Sequence, residues 1–354
     1  MIIKIGKNKI SKTGKTYFVA DIAANHDGSL SRAKRLIRLC AKAGANAAKF
    51  QHFKAETIVL DEGFKKIGKI SHQRMWKKSV FNVYQDASIN FQWTKELKKE
   101  CSKNNIDFLT APYDLQYVDQ VNKYIPAFKI GSGDITWKEI IIKIAKKNKP
   151  VLLASGASTL KETLNAVNTI KKHNKQIVLM QCNTNYTNNS NNLDYINLNA
   201  LEQFKKIFKN KIILGLSDHT AGHNSVLGAI SLGARVIEKH FTDDNHRKGP
   251  DHKFSLNPES WKKMILASRE LERCLGDGLK KLEKNERKSV IVQRRGVWIK
   301  NKIKKGTRLK ITDLNFLRPC PKDSISPFEI NKYIGKKVNK NLNKNTLLKK
   351  KCIT

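Results

Sequence analysis

The chain has 354 residues and an apolar share of 40%, enough for one large domain with a sizeable core and a small second domain. It contains no run of about 18 apolar residues and no signal-peptide pattern at its start, so we expect neither a membrane span nor secretion. Its six cysteines are scattered, without a CxxC pair, which indicates reduced thiols in a cytoplasmic protein rather than a disulfide framework.

The net charge is strongly positive, with 69 basic residues against 30 acidic ones and a formal value of +39. Such a charge is typical of nucleic-acid binders. However, the excess is mostly lysine spread along the whole chain, and no cluster of arginines and interleaved aromatics marks a groove for phosphates. We therefore expect no nucleic-acid partner and attribute the charge to a lysine-rich composition.

The first 15 residues predict a short β-hairpin, and one unit then recurs eight times along the chain. In each unit an apolar run of four to seven residues precedes a stretch with helical periodicity. The predicted strands are 17–22, 47–50, 106–109, 127–130, 151–154, 177–180, 212–216 and 236–239. Alternation of strands and helices predicts a closed (β/α)8 TIM barrel. An open doubly wound sheet is the alternative, but no glycine-rich dinucleotide loop follows the first strand.

Two segments depart from the repeating unit. The connection over residues 54–91, after the second strand, is long and aromatic, as expected of either an ordered excursion or a moving lid. Residues 276–288 are polar and charged, which predicts a linker. From residue 289 short β-prone pieces and lysine-rich turns predict a second domain, so the expected domains are 1–275 and 289–354.

Polar residues stand at the carboxyl ends of the predicted strands, where barrels of this kind place their active sites. Lys49 and Lys129 lie inside apolar strand segments, where an unpaired ammonium group would be costly to bury. An anionic ligand bound between the two lysines would explain why both ammonium groups lie inside apolar strands. Hydroxyl groups and a Gly-Ser-Gly turn add donors suited to a phosphate and a carboxylate, namely Thr110, Ser132, Ser155 and Ser217.

Two histidines, His219 and His240, end neighbouring strands, which is the arrangement of a two-nitrogen metal site with positions left for water and substrate. His26 and His223 are interpreted as structural. Asp218 is expected to fix the turn or to support the site from behind rather than to take part in chemistry.

Taken together, these segments resemble the sialic acid synthase family, which condenses phosphoenolpyruvate with N-acetylated sugars. The resemblance extends essentially from end to end, and the tail is similar to that family's SAF (antifreeze-like) domain. The segments that carry it are 20–28, Ala48-Lys-Phe-Gln51, Phe128-Lys-Ile-Gly-Ser-Gly133, Gly215-Leu-Ser-Asp-His-Thr220, Glu238-Lys-His-Phe-Thr242, Gly249-Pro-Asp251, Lys304-Lys-Gly-Thr307, Leu317-Arg-Pro319 and Ile325-Ser-Pro327.

The resemblance implies a role for each matching residue. His219 and His240 are the expected ligands of Mn²⁺ or Mg²⁺. The phosphoenolpyruvate-binding set is Lys49, Thr110, Lys129, Ser132 and Ser217, with Lys49, Lys129 and Asp21 counted as catalytic. The sugar-binding set is Asp21, Gln51, Asp134, Tyr186, Asp251 and Arg318. The implied role of Arg318, insertion into the partner subunit's site, predicts a domain-swapped homodimer.

The chain departs from the family pattern at several positions. Position 21 is usually glutamate and is Asp21 here, and the Gly-Glu after strand four appears as Gly133-Asp134. These differences bear on the sugar more than on the reaction. Three alternatives therefore stay open: a synthase of legionaminic or pseudaminic acid, a non-catalytic sugar-binding barrel, and a nucleic-acid-binding protein.

Overall fold

The computed structural model describes residues 1–70, 73, 74, 76–186, 190–209 and 211–354. The chain forms two compact units, Met1–Gly276 and Asp277–Thr354. Within these ranges, no helix is both long enough and apolar enough to cross a membrane.

Eight parallel strands of the described chain close into a barrel, which confirms the predicted fold. The strands follow each other around the barrel in chain order, and the last pairs with the first. They are β3 (Tyr17–Asp21), β4 (Ala47–His52), β5 (Asp107–Pro112), β6 (Phe128–Ile130), β7 (Val151–Ala154), β8 (Ile177–Cys182), β9 (Ile213–Asp218) and β10 (Ala234–His240). Several strands extend one to three residues beyond their predicted carboxyl ends, into the polar residues that follow the apolar runs.

Alternation along the strands divides the apolar side chains into two cores. Val19, Leu109 and Met180 point into the barrel interior, whereas Phe50 and Phe108 pack outward against the helices. Both faces are therefore apolar, as in other parallel barrels.

The N-terminal hairpin closes one end of the barrel. Its strands, β1 (Ile2–Ile5) and β2 (Asn8–Ser11), pair antiparallel. Ile3, Ile5 and Ile10 are fully buried with the interior side chains of the barrel. Since the amino ends of the strands are plugged, the open end lies at their carboxyl ends.

The helices that cover the barrel begin at recognisable caps. The Thr159 side chain accepts from the backbone of Glu162, and the Glu162 side chain accepts from Thr159, which is a capping box. The covering helices are α1 (Leu30–Lys42), α5 (Trp93–Lys103), α6 (Leu115–Asn122), α7 (Lys138–Ala145), α8 (Leu160–Lys171), α9 (Ala200–Phe208), α10 (Asn224–Ser231) and α11 (Pro258–Cys274).

The long connection after β4 contains three short helices, α2 (Ala55–Ile58), α3 (Asp61–Ile67) and α4 (Val80–Ala87). Its residues 71, 72 and 75 lie outside the described chain. Tyr84 of α4 packs against Phe53 and Trp76, with ring centroids 5.6 and 6.4 Å apart. The described part of this connection therefore contains helices whose aromatic rings pack together.

The C-terminal unit has its own small core, which includes Val297, Ile299 and Leu348. Strands β11 (Gly296–Ile299) and β12 (Leu314–Leu317) pair antiparallel. A helix, α12 (Arg287–Gln293), precedes them. Residues 276–283, the first part of the predicted linker, form no helix or strand, whereas its last residues form a short 3₁₀ turn, Lys284–Glu286, and the start of α12.

Candidate active site

A cavity of about 410 Å³ opens at the carboxyl ends of the barrel strands. This volume falls within the range of ordinary small-molecule sites. Eleven of the predicted site residues line it: Asp21, Lys49, Gln51, Lys129, Ser132, Asp134, Tyr186, Ser217, His219, His240 and Asp251. The side chains of α4 and of its neighbours, among them Trp76, Val83 and Tyr84, form another part of its wall.

The floor of the cavity is an ion network centred on Glu238. Its Oε1 lies 3.2 Å from Lys49 Nζ and 2.9 Å from Lys129 Nζ, and it accepts a hydrogen bond of 3.1 Å from Ser217 Oγ. Both lysines are almost fully buried, with side chains 2% and 3% exposed. Within the described residues, the second oxygen, Oε2, is buried without a hydrogen-bond partner.

Opposite charges decide the protonation states in this network. Burial alone would raise the pKa of Glu238, but the two ammonium groups outweigh it and hold that pKa well below its usual range. Burial lowers the pKa of Lys49, yet the carboxylates of Asp21 and Glu238 hold it above its ordinary value. At neutral pH Lys49 is therefore protonated and Glu238 is ionised.

Asp21 connects this network to the histidines. Its Oδ2 lies 2.7 Å from Lys49 Nζ and 3.5 Å from His240 Nε2, and its Oδ1 accepts from the backbone of Ala23 at 3.1 Å. Burial raises the pKa of Asp21, against the lowering effect of Lys49 and with the help of Glu238. This carboxyl group is thus the more easily protonated of the two that contact Lys49.

His219 and His240 lie next to each other at the ends of the paired strands β9 and β10, with ring centroids 5.3 Å apart. His219 Nδ1 lies 2.8 Å from the carbonyl oxygen of Asn183, which fixes its proton there and leaves Nε2 as the lone-pair nitrogen. Burial lowers the pKa of His219 to about 3 and that of His240 to about 4. Both rings are therefore neutral near pH 7, which is the form that binds metals.

Two histidines by themselves leave most positions of a divalent ion open. Among the residues that the structure describes, no three His, Cys, Asp or Glu side chains are grouped so as to enclose a metal. His240 Nδ1 is nevertheless buried and without a hydrogen-bond partner in the described chain, and it lies 3.9 Å from Asp251 Oδ2. The donor set fits an ion that completes its coordination with water and substrate oxygens.

Aromatic rings pack around the two histidines. Tyr186 lies 4.3 Å from the His219 ring, and Phe254 lies 4.8 Å from the His240 ring, measured between centroids. These rings restrict the imidazoles and lower the local dielectric.

Asp134 stands on the opposite wall, in a single 3₁₀ turn after β6. Burial raises the pKa of its carboxyl group to about 6, although Lys129 acts to lower it. Its Oδ2 is buried and has no hydrogen-bond partner among the described residues. A carboxyl group with this pKa can exchange protons near neutral pH.

Two of the predicted hydroxyl donors of the barrel, Ser155 and Thr110, do not line the cavity. The Ser155 hydroxyl donates to the Met180 carbonyl at 3.0 Å. Thr110 faces the helices, where its hydroxyl donates to the Phe50 carbonyl at 3.0 Å and lies 2.7 Å from His52 Nδ1. The prediction that Thr110 contacts phosphoenolpyruvate is therefore corrected. Arg318 is exposed on the C-terminal unit, and its Nε donates to the Gln293 carbonyl at 2.6 Å.

The sequence assigned no role to several residues that line the cavity, among them Phe53, Tyr113, Cys182 and Glu238. It also assigned none to Phe254, whose ring packs against His240. The period of two along a strand would have found Glu238, since it lies two residues before His240 and thus on the same face. Ser217 and His219 have the same spacing on the neighbouring strand. The contacts of Phe254 come from a loop, for which no such periodicity exists.

The fold and the cavity define a TIM-barrel protein with an appended SAF domain. Residues 36–280 match the NeuB family and residues 294–354 match the SAF domain. The chain belongs to the NeuB family, as the sequence resemblance predicted.

Similar proteins include synthases of several nonulosonic acids. The chain is 36% identical to the N,N'-diacetyllegionaminic acid synthase of Campylobacter jejuni, over 95% of this chain and 99% of the relative. It is 29% identical to the human N-acetylneuraminate-9-phosphate synthase, over 91% and 88% respectively. A crystal structure of the N-acetylneuraminic acid synthetase of Leptospira borgpetersenii matches with a TM-score of 0.71 and 27% identity, over 82% of this chain and 95% of that one.

Proposed function

We propose that this protein condenses phosphoenolpyruvate with the open-chain form of an N-acetylated amino sugar, giving a nonulosonic acid and phosphate. The observation that supports this most is the placement of two buried ammonium groups beside two neutral imidazoles in one cavity. The two ammonium groups suit a small polyanion, and the two imidazoles suit a metal that polarises an aldehyde.

Lys49 and Lys129 would bind the carboxylate and phosphate of phosphoenolpyruvate, with Ser132 and Ser217 as further donors. In the free protein Glu238 forms ion pairs with both lysines, and Lys49 is also paired with Asp21. The incoming anion would replace part of this pairing and hold carbon 3 of phosphoenolpyruvate toward the histidines.

His219 and His240 would hold Mn²⁺ or Mg²⁺, which supplies Lewis-acid polarisation of the sugar aldehyde when bound. Carbon 3 of phosphoenolpyruvate forms a bond to the aldehyde carbon, whose oxygen becomes a hydroxyl group by taking up a proton. Water then adds to carbon 2, and the bond between carbon 2 and the phosphate oxygen breaks. Phosphate leaves, and a keto group stays at carbon 2.

The carboxyl groups around the cavity would move the protons. Asp21 is the candidate that assists opening of the sugar ring or activates water, because it is buried between Lys49 and His240. Asp134, with a pKa of about 6, is a second candidate. Gln51, Tyr186 and Asp251 would bind the sugar hydroxyl and acetamido groups.

The C-terminal unit would complete the site of a second subunit. Arg318 is exposed, so it is available to reach a neighbouring chain. We therefore include a domain-swapped homodimer in the proposal, with the amino sugar contacted by Arg318 of the partner subunit.

Two sugars enter the proposal. N-acetylmannosamine would give N-acetylneuraminate, the product expected from the sequence. A six-carbon sugar with two acetamido groups would give a legionaminic acid, and it is favoured by the similarity to the Campylobacter synthase.

The direct test is release of phosphate from phosphoenolpyruvate with each sugar, together with the mass of the product. We expect a product with a nine-carbon backbone, in addition to its acetyl groups. We also expect turnover to be lost in EDTA and to recover with Mn²⁺. Activity that survives both EDTA and the His219→Ala substitution would refute the metal role. Tight, salt-sensitive DNA binding without any turnover would instead favour a nucleic-acid-binding protein.

A further inference from the structure

The outward faces of β9 and β10 contain a buried ion pair directly behind the candidate metal ligands. Asp218 and Lys239 are partners in the strand register, and Lys239 Nζ lies 2.6 Å from Asp218 Oδ2. Both side chains are essentially inaccessible, with 0% and 1% exposed. They point away from the cavity, since Ser217 and Glu238, their neighbours in sequence, point into it.

The pair also fixes the turn that follows β9. Asp218 accepts hydrogen bonds from the Thr220 backbone at 3.0 Å and from Ser225 Oγ at 2.6 Å. Lys239 Nζ donates to the Thr220 carbonyl at 2.6 Å. The end of β9, the start of α10 and the end of β10 are thereby joined through two side chains.

This location is unusual for charged groups in the barrel. Other outward positions on the strands include the apolar residues Phe50, Phe108 and Phe128 and the uncharged polar residue Thr110. A buried ion pair is seldom more stabilising than an apolar pair of similar size, but its directional bonds can fix one register. Stability alone therefore does not explain why Asp218 and Lys239 stand here.

We infer that Asp218 and Lys239 are a positioning pair, which sets the separation of His219 and His240 so that both imidazoles can bind one divalent cation. Each member of the pair is adjacent in sequence to one of the two histidines, and their mutual contact leaves the strand ends little freedom to slide or part. The inference rests on the metal role in the proposed function. Neither Asp218 nor Lys239 touches the cavity, so neither is a catalytic residue.

The test is the affinity for Mn²⁺ alone, measured by electron paramagnetic resonance of the free ion at a temperature where circular dichroism shows folded protein. The double variant Asp218→Asn with Lys239→Met removes both charges, so it leaves no isolated charge buried. We expect its Kd for Mn²⁺ to rise roughly 10- to 100-fold, as for other groups that orient metal ligands. The milder Lys239→Arg variant keeps the charge and should give an intermediate Kd.

The matched control is Tyr17→Phe, which removes the hydrogen bond from the Tyr17 hydroxyl to Asp107 Oδ2 at the plugged end of the barrel. It should lower Tm and leave the Kd for Mn²⁺ unchanged. A wild-type chain that binds no Mn²⁺ would overturn the metal role and this inference together. Wild-type affinity in the folded double variant, or in Lys239→Arg if the double variant does not fold, would overturn the inference alone.

Discussion

The substitution Glu238→Gln tests the ion network most directly. It keeps the shape of the side chain and an oxygen that can accept from Lys49 and Lys129, but it removes the negative charge between them. Lys49 then keeps its ion pair with Asp21, whereas Lys129 loses its ion pair with Glu238. Removing one partner of a buried ion pair costs roughly 3–5 kcal/mol of unfolding free energy. Because an oxygen acceptor is retained, we expect a loss of unfolding free energy at the lower end of this range, about 3 kcal/mol.

The expected shift in Tm follows from the size of the protein. For domains of this size, about 1 kcal/mol corresponds to about 2 °C, so Glu238→Gln should lower Tm by about 6 °C without ligand. Phosphoenolpyruvate brings negative charge to the same lysines. In the Glu238→Gln variant it does not compete with a carboxylate for them, so it should bind more tightly. A tenfold lower Kd in the variant would add about 1.4 kcal/mol of stabilisation at saturating ligand, or about 3 °C beyond the wild-type response.

The assay is thermal unfolding of both proteins with and without phosphoenolpyruvate, and with Tyr17→Phe as a destabilised control. The control should respond to phosphoenolpyruvate as the wild type does. A ligand-free Tm within about 1 °C of the wild type would show that Glu238 does not neutralise the lysines. An equal ligand response in Glu238→Gln and the wild type would show that phosphoenolpyruvate does not bind beside it.

Three further predictions use other parts of the structure. If ionised Asp134 accepts a proton in the reaction, kcat/KM should rise with pH through about 6, and Asp134→Asn should remove that limb of the profile. The raised pKa of Asp134 also means that the wild-type protein loses stability as the pH rises from about 3.8 to 6. Asp134→Asn should therefore stabilise the protein at pH 7, by at most about 3 kcal/mol. An unchanged Tm would contradict this. Thr110→Val should leave KM for phosphoenolpyruvate within about twofold of the wild type. It should lower stability by roughly 1–3 kcal/mol, because His52 loses a hydrogen-bond partner. A large rise in KM would show that Thr110 does contact phosphoenolpyruvate. Mixing Arg318→Ala subunits with His219→Ala subunits should restore activity in part, since some heterodimer sites regain both groups; no recovery would contradict the swapped dimer.

The sequence predicted the barrel because its strands and helices alternate with clear periods. The same periodicity placed Lys49, Lys129, His219 and His240 at one end, since the carboxyl ends of parallel strands meet there. The structure describes all four around one cavity. These inferences needed only strand direction and the position of a residue along its strand.

The direction in which a strand side chain points was harder to predict than its position along the strand. Barrel strands are apolar on both sides, so the pattern around Thr110 did not reveal that its hydroxyl points outward to His52. The period of two places Glu238 on the cavity face of its strand, but its pairing with Lys129, 109 residues away, depends on the distance between their side chains in the closed barrel.

The sequence by itself thus determined the fold, the family and the end of the barrel that holds the site. Each of these depends on local periodicity or on short segments read in order. The tertiary structure alone decided which charges neutralise each other, how far apart the imidazoles lie, and that Asp218 pairs with Lys239 behind them. Those properties depend on distances between residues remote in the chain, and packing of the closed barrel is what sets them.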